Sequence, residues 1–155
     1  MQSRIQPPAC WSYLPMLDTL REDHLIQQLL CNDLETIADR LPELPPLPDI
    51  RRICDRIMRI TGTHFVRAEN IFDSMPASQR PSAADLETLH GMHLLDETHA
   101  EDLVSALWQQ TRLRDRANIG QLSYMLRCFF DGCRRAIALK ESWITNALRT
   151  AVSTD

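Results

Sequence analysis

The chain has 155 residues, enough for a single domain with a buried core. Its formal net charge of -4 argues against a nucleic-acid binder, because phosphate recognition needs a basic face. No apolar run approaches the roughly 20 residues that cross a bilayer, and residues 1 to 16 lack the apolar core of a signal peptide, so we expect a cytoplasmic protein without a membrane partner. Glycine is scarce, with 4 residues, and helix-forming residues dominate, which favours an all-α fold.

Apolar residues at helical spacing, interrupted by turn signals, predict four long helices. They are expected at residues 18 to 41, 49 to 74, 82 to 112 and 117 to 151. Asp18 is the expected N-cap of the first helix, which ends before Pro42, and Ser82 with Asp85 resembles a capping box at the start of the third. Long helices with short connections predict an up-down-up-down four-helix bundle.

Residues 1 to 16 are predicted to form an extended N-terminal arm, and residues 17 to 155 the bundle domain. The arm is rich in proline and is not expected to form an element of its own. Trp11 and Tyr13 are expected to hold it against the bundle.

Three of the predicted helices carry a histidine in register with their apolar residues, and the fourth carries a lysine. His24, His64 and His99 occupy these positions on the first, second and third helices. The inward stripes predicted for the first, second and fourth helices run from Leu17 to Leu41, from Ile50 to Met75 and from Leu122 to Ala147. Gly62, two residues before His64, is a weak point of the second helix. Lys140 has an inward register on the fourth helix, and two interpretations stay open: its stem carries the ammonium group to water, or the ammonium group faces the histidines.

The third helix contains two further histidines. The inward face predicted for His99 also includes Met92, Leu95, Leu103 and Ala106. His90 and His93 are expected on a solvated flank, because acidic residues lie near them in the sequence.

Segments of all four helices resemble a known family in their residues as well as their spacing. In the first helix the similar segment begins at His24, and in the second it is His64-Phe-Val-Arg-Ala-Glu-Asn-Ile-Phe72. The third helix contains Asp96-Glu-Thr-His99, and the fourth contains Arg134-Arg-Ala-Ile-Ala-Leu-Lys140. From residue 17 to 151 the chain resembles the hemerythrin-like family, also called the HHE cation-binding domain. The resemblance implies a four-helix bundle with two irons, held by histidines and bridged by two glutamates, that bind oxygen or report on redox state or iron.

Several positions depart from the pattern of that family. The second-helix glutamate position is Ala68, the fourth-helix histidine position is Ala136, and the fourth-helix glutamate position is Lys140. A further histidine of some members is replaced by Leu95. Because two close cations need bridging carboxylates, these changes predict a degenerate metal site.

Three carboxylates are candidates for compensating these losses. Glu69 and Glu141 each lie one position past a lost ligand, about 100° further round the helix, which makes them poor substitutes as ligands. Because a buried polar group needs a partner, Glu69 and Glu101 are expected to approach Lys140 or the histidines.

These observations leave open more than one function. The first hypothesis is a non-enzymatic regulatory or interaction module without a cofactor, which binds an unidentified protein partner or a second copy of itself. The alternative is a single iron or zinc ion held by His24, His64 and His99, in a sensor of oxygen, nitric oxide or metal. This alternative requires the three imidazoles to converge on a common point.

A third hypothesis is a redox role through a cysteine. Cys31, Cys54 and Cys133 have inward registers, whereas a reactive thiol needs exposure and a low pKa. The sequence contains no phosphate-binding loop, nucleophile elbow or HExxH motif, so an enzyme is not expected.

Overall fold

The computed structural model describes residues 13–113 and 118–153. The elements are α1 (Leu14–Arg40), α2 (Leu47–Arg59), a π-helix that we call π1 (Ile60–His64), α3 (Phe65–Ser74), α4 (Ala83–Leu113) and α5 (Ile119–Val152). Because α2, π1 and α3 follow one another without a break, residues 47–74 form one long helical segment. The described residues therefore form four long helical segments without a strand, and the predicted all-α class is confirmed. No helix in these ranges is both long and apolar enough to cross a membrane.

The first helix begins four residues earlier than predicted. Leu14, not a residue after Asp18, is its first residue, and Pro15 lies in the first turn, where its missing N–H is not needed. Tyr13 precedes the helix, and its side chain is buried among apolar residues. Residues 14–16 thus belong to α1, and Trp11 lies outside the described residues.

The predicted start of α4 is confirmed by its cap. The Ser82 hydroxyl accepts a hydrogen bond from the backbone N–H of Asp85 at 3.1 Å and donates one to the Asp85 carboxylate at 2.8 Å. These contacts satisfy a backbone donor that has no partner within the helix.

Two apolar clusters fill the interior, and a polar layer separates them. One cluster includes Leu34, Ile57 and Phe129, and the other includes Leu20 and Phe72. Each fully buried side chain of this kind stabilises the fold by roughly 1.5–3 kcal/mol. Six of the buried polar residues, one or two from each helical segment, lie where the two clusters meet. The layer consists of His24, Gln27, His64, His93, Asp96 and Lys140.

The predicted inward faces are confirmed for three of the four helical segments. The predicted face of α5 is buried from Leu122 to Ala147, apart from the half-buried Trp143. The predicted stripe from Ile50 to Met75 is buried throughout. On α1, only Leu41 of the predicted stripe is half-buried, and the other members are buried.

The predicted inward face of α4 is wrong, apart from Leu103, which is buried. Leu95 is 54% exposed, and His99 and Met92 are half-buried. The residues that α4 buries are Leu89, His93, Asp96, Ala100, Leu103, Leu107 and Gln110. Because this face includes polar residues while leucines lie outside it, apolar spacing does not identify it.

Candidate functional site

Lys140 lies at the centre of the polar layer with none of its surface exposed. Its Nζ is 3.0 Å from Nε2 of His64 and 3.4 Å from Nε2 of His93. The ammonium group therefore donates hydrogen bonds to two imidazoles from different helices. Of the two interpretations left open by the sequence, the structure has the ammonium group facing histidines.

The other ring nitrogen of each buried histidine is held by a carboxylate. The Nδ1 pairs are His24 with Glu141 Oε1 (2.6 Å), His64 with Asp23 Oδ2 (3.0 Å) and His93 with Glu69 Oε1 (2.7 Å). Because Nδ1–H donates to the carboxylate, the lone pair of Nε2 is left to accept a hydrogen bond. We call Lys140, these three histidines and their three carboxylates the lysine-histidine cluster.

His24 contacts the centre of the cluster through the ring of His64. Its ring lies edge-on to the ring of His64, with the centroids 5.4 Å apart. Its Nε2 is buried and has no hydrogen-bond partner among the described residues. His24 therefore supplies a third buried imidazole without a hydrogen bond to Lys140.

Phe65 closes one side of the cluster. Its ring stacks on His93 with centroids 4.2 Å apart and planes 4° apart, and Nζ of Lys140 lies 5.8 Å from its centroid. An aromatic face attracts a nearby cation through its quadrupole. Phe65 thus packs His93 in place and contributes to holding the ammonium charge.

The π-helix positions two of these side chains. His64 is the last residue of π1, and Phe65 is the first residue of α3. A π-helix accommodates an extra residue within a continuous helix, and such segments are frequent at functional sites. Gly62, the weak point expected from the sequence, lies in the middle of π1.

Burial sets the protonation of the central groups. Burial, together with the charge of the Lys140 ammonium group, lowers the pKa of His64 to about 3 and that of His93 to about 4. Burial also lowers the pKa of Lys140 to about 8, against the opposing effect of nearby acidic groups that include Asp96. At pH 7 the cluster therefore holds neutral imidazoles around a protonated lysine.

Asp96 is a buried carboxyl group that the sequence analysis did not identify as part of the site. Only 3% of it is exposed, and burial raises its pKa to about 6, with Arg135 and Lys140 opposing the shift. It fits against α5 because residue 132 is glycine: a Cβ on Gly132 would overlap Oδ1 of Asp96. The carboxylate supplies negative charge near Lys140.

The structure brings together only part of the predicted histidine set. His24 and His64 lie in the cluster, but His99 lies half-buried outside it. His93 takes the third position, although the sequence placed it on a solvated flank. His90 is exposed as expected, and it shares the Glu69 carboxylate with His93.

The candidate carboxylates also divide. Glu69 and Glu141 reach the cluster, where they bind the outer nitrogens of His93 and His24. Because each glutamate lies one position past a ligand position of the family, its side chain points away from the centre of the bundle. Its carboxylate still reaches a histidine on a neighbouring helix. Glu101 is exposed and takes no part, and Asp23 fills the corresponding role beside His64.

The residues present do not fit a metal centre. Within the described ranges, no group of three or more His, Cys, Asp or Glu side chains is arranged to hold a metal ion. The trio of His24, His64 and His99 does not converge, because His99 lies outside the cluster. The lone pairs of His64 and His93, which a metal would use, face Lys140 instead. Ala68 and Ala136 are buried without offering a ligand atom.

The three cysteines considered for a redox role are all buried and reduced. Burial raises the pKa of Cys54, and a hydrogen bond with Cys31 raises that of Cys133 well above its ordinary value. The same hydrogen bond lowers the pKa of Cys31. None of the three combines exposure with a low pKa, as the redox hypothesis requires.

No family model matches the chain, and neither a curated protein nor a solved structure matches it. The resemblance to the hemerythrin-like family therefore depends on the sequence motifs alone.

Proposed function

We propose that the chain is a hemerythrin-like bundle of up-down-up-down topology in which Lys140 takes the place of the metal, and that it serves as a cytoplasmic, non-enzymatic regulatory or interaction module. The observation that carries this proposal is the pair of hydrogen bonds from Lys140 to His64 and His93. In metalloproteins, a carboxylate on one ring nitrogen directs the other toward the metal. Here the same arrangement directs two imidazoles toward an ammonium group.

The charges of the cluster support this substitution. Two divalent or trivalent cations require bridging carboxylates, whereas a single ammonium charge does not. Alanines at positions 68 and 136 are therefore compatible with a lysine at position 140. The remaining carboxylates bind the outer nitrogens of the histidines, and Asp96 provides a nearby negative charge.

The protonation of the cluster supports a non-enzymatic role. A general base works best when its pKa lies near the operating pH. The pKa values of about 3 for His64 and about 4 for His93 are far below neutrality. Lys140, the remaining candidate nucleophile of the cluster, has no exposed surface.

An exposed apolar surface on α1 supports a role in binding a partner. Leu25, Ile26 and Leu29 are 63%, 59% and 61% exposed and lie within about one helical turn of each other. Apolar side chains grouped on a surface are typical of protein interaction sites. A protein partner or a second copy of the chain could cover them.

The test is metal content by mass spectrometry, with iron(II) and zinc titrations of the wild type, Lys140→Glu and Lys140→Met. We expect no stoichiometric metal in the wild type. Lys140→Glu removes the competing charge and adds a ligand to His64 and His93, so it should bind one ion. Lys140→Met removes the charge without adding a ligand and should bind more weakly.

Adding His93→Ala to Lys140→Glu should abolish the gained binding, and circular dichroism would establish that each variant is folded. Near-stoichiometric metal in the wild type, lost on His64→Ala, would instead establish the mononuclear sensor and overturn the proposal. A folded Lys140→Glu variant that binds no metal would contradict the claim that the lysine occupies a metal position.

A further inference from the structure

A cavity of about 190 Å³ lies between α1 and the segment around π1, on the outer side of the lysine-histidine cluster. Its polar lining consists of Asp23, Gln27, Arg56, Arg59, Thr63, His64 and Arg67. Arg59 and Arg67 are exposed, so the cavity opens to solvent at a rim of arginines. The function proposed above does not use this cavity.

The charge of the lining is positive. Arg56 binds Asp33 at 2.6 Å, and Arg67 binds Asp23 at 2.9 Å, so these two guanidinium groups are largely offset. The Asp23 carboxylate also accepts from His64. Arg59 has neither an ion pair nor a hydrogen bond from its side chain within the described ranges. One guanidinium group is therefore available for an anion.

Gln27 supplies a second, independent indication of a ligand. The residue is only 2% exposed, yet its Nε2 is buried without a hydrogen-bond partner within residues 13–113 and 118–153. Leaving such a donor unsatisfied is unfavourable, so buried amides are nearly always paired. The Gln27 side chain lines the cavity, and a turn of its amide group would present this N–H to a bound oxygen.

The rest of the lining is apolar. Ile26, Leu30 and Ile60 form the walls. A cavity of roughly 150 Å³ accommodates benzene, so the present volume suits one small ring or a short branched chain. A ligand that fits the cavity would have an acidic group and a compact apolar body.

We propose that this cavity binds a small carboxylate with a compact apolar body, the carboxylate held by Arg59 and Gln27 and the body packed against Leu30 and Ile60. The cavity shares His64 and Asp23 with the lysine-histidine cluster, but the proposed ligand contacts at Arg59, Gln27, Leu30 and Ile60 do not include Lys140 or the imidazoles it binds. The proposed site does not depend on whether the lysine replaced a metal, so the metal titrations and the experiment below can fail independently.

Isothermal titration with benzoate, and with benzyl alcohol as its uncharged counterpart, tests the proposal on the full chain. Benzoate should bind, and benzyl alcohol should bind about tenfold more weakly, because its uncharged hydroxyl cannot form the charged hydrogen bond to Arg59. Arg59→Gln and Gln27→Leu should each weaken benzoate binding by a similar factor.

Arg51→Gln is the matched control, because Arg51 is an exposed arginine on the same helical segment that does not line the cavity. It should leave the affinity for benzoate unchanged. The proposal is wrong if benzoate does not bind, if benzyl alcohol binds as tightly, or if Arg51→Gln has the same effect as Arg59→Gln. Arg59 is exposed, so Arg59→Gln should fold. If Gln27→Leu does not fold, the affinity of Arg59→Gln for benzoate tests the proposal by itself.

Discussion

Lys140 is the only lysine of the chain; the other 16 basic residues counted with it are arginines. Arginine and lysine differ in the shape of the charged group and in how readily it loses its proton. A guanidinium group is planar and keeps its proton, whereas an ammonium group is compact and loses its proton when burial lowers its pKa. Only the compact group fits between two imidazole nitrogens 3.0 and 3.4 Å away.

A single lysine allows its pKa to be measured without assignment. In protein labelled with [13C]lysine, the Cε resonance should titrate with a pKa of about 8 in the folded state and close to the ordinary 10.5 in urea. Asp96→Asn should lower the folded value further, because the carboxylate near Lys140 favours its charged form. Glu97→Gln, a change at the neighbouring exposed carboxylate, should leave it unchanged. A folded-state value near 10.5 would contradict the burial of the ammonium group.

At the same scale, the sequence predicted some members of the cluster and missed others. Lys140 and His64 could be placed on inward faces because apolar residues flank them at helical spacing. Asp23 could not, since its carboxylate reaches His64 from the edge of a neighbouring helix. Contacts of this kind depend on how two helices pack, which spacing along one helix does not contain.

At the scale of elements, the close approach of α4 and α5 depends on Gly132, which is buried within α5. Replacing glycine by alanine inside a helix usually stabilises it by roughly 0.5–1 kcal/mol. At position 132 the added methyl group would displace the Asp96 carboxylate. Overpacking of this kind costs about 1–3 kcal/mol, so the usual sign should reverse.

We therefore expect Gly132→Ala to lower the free energy of unfolding by about 1–2 kcal/mol, measured by urea denaturation. Gly91→Ala and Gly120→Ala are the controls, because a Cβ at either position meets nothing within 4 Å. Both should be neutral or stabilising. A stabilising Gly132→Ala would show that Asp96 can move without loss.

The elements also show what limits prediction from sequence. The faces of α1, α5 and the segment from α2 to α3 could be predicted, because their inward residues are mainly apolar. α4 buries His93 and Asp96 while Leu94 and Leu95 are 50% and 54% exposed. A polar centre formed by four helical segments thus reverses the apolar pattern on α4. The sequence marked Gly62 as a weak point of the second helix but did not predict the π-helix, since the extra residue leaves the inward stripe intact.

At the scale of the whole molecule, the polar layer links stability to pH. His64 and His93 have pKa values of about 3 and 4 in the fold, below the ordinary 6.5, so the unfolded chain binds more protons under acidic conditions. Their contribution is present above pH 6.5 and is lost as the pH falls toward 4. His24, whose pKa burial also lowers, adds an effect of the same sign. Asp96 opposes them, because its pKa is raised to about 6.

The three histidines together change the free energy of unfolding with pH more than Asp96 does. We expect the free energy of unfolding to fall by about 2 kcal/mol between pH 7 and pH 5, since each pKa unit is worth about 1.4 kcal/mol. Urea denaturation at intervals of half a pH unit would measure the slope. His93→Gln, if it folds, should reduce that slope. A stability that stays constant over this range would show that the imidazoles are not held neutral.

The cation at the centre of the bundle is covalently attached to the chain through the lysine stem. At a pH well below its pKa of about 8, this cation is therefore present in nearly every folded copy, whatever the supply of ions in the surroundings. It has no dissociation rate of its own: its residence time between His64 and His93 is the time for which the surrounding helices stay packed. Exchange of this cation with solvent is thus an opening of the bundle.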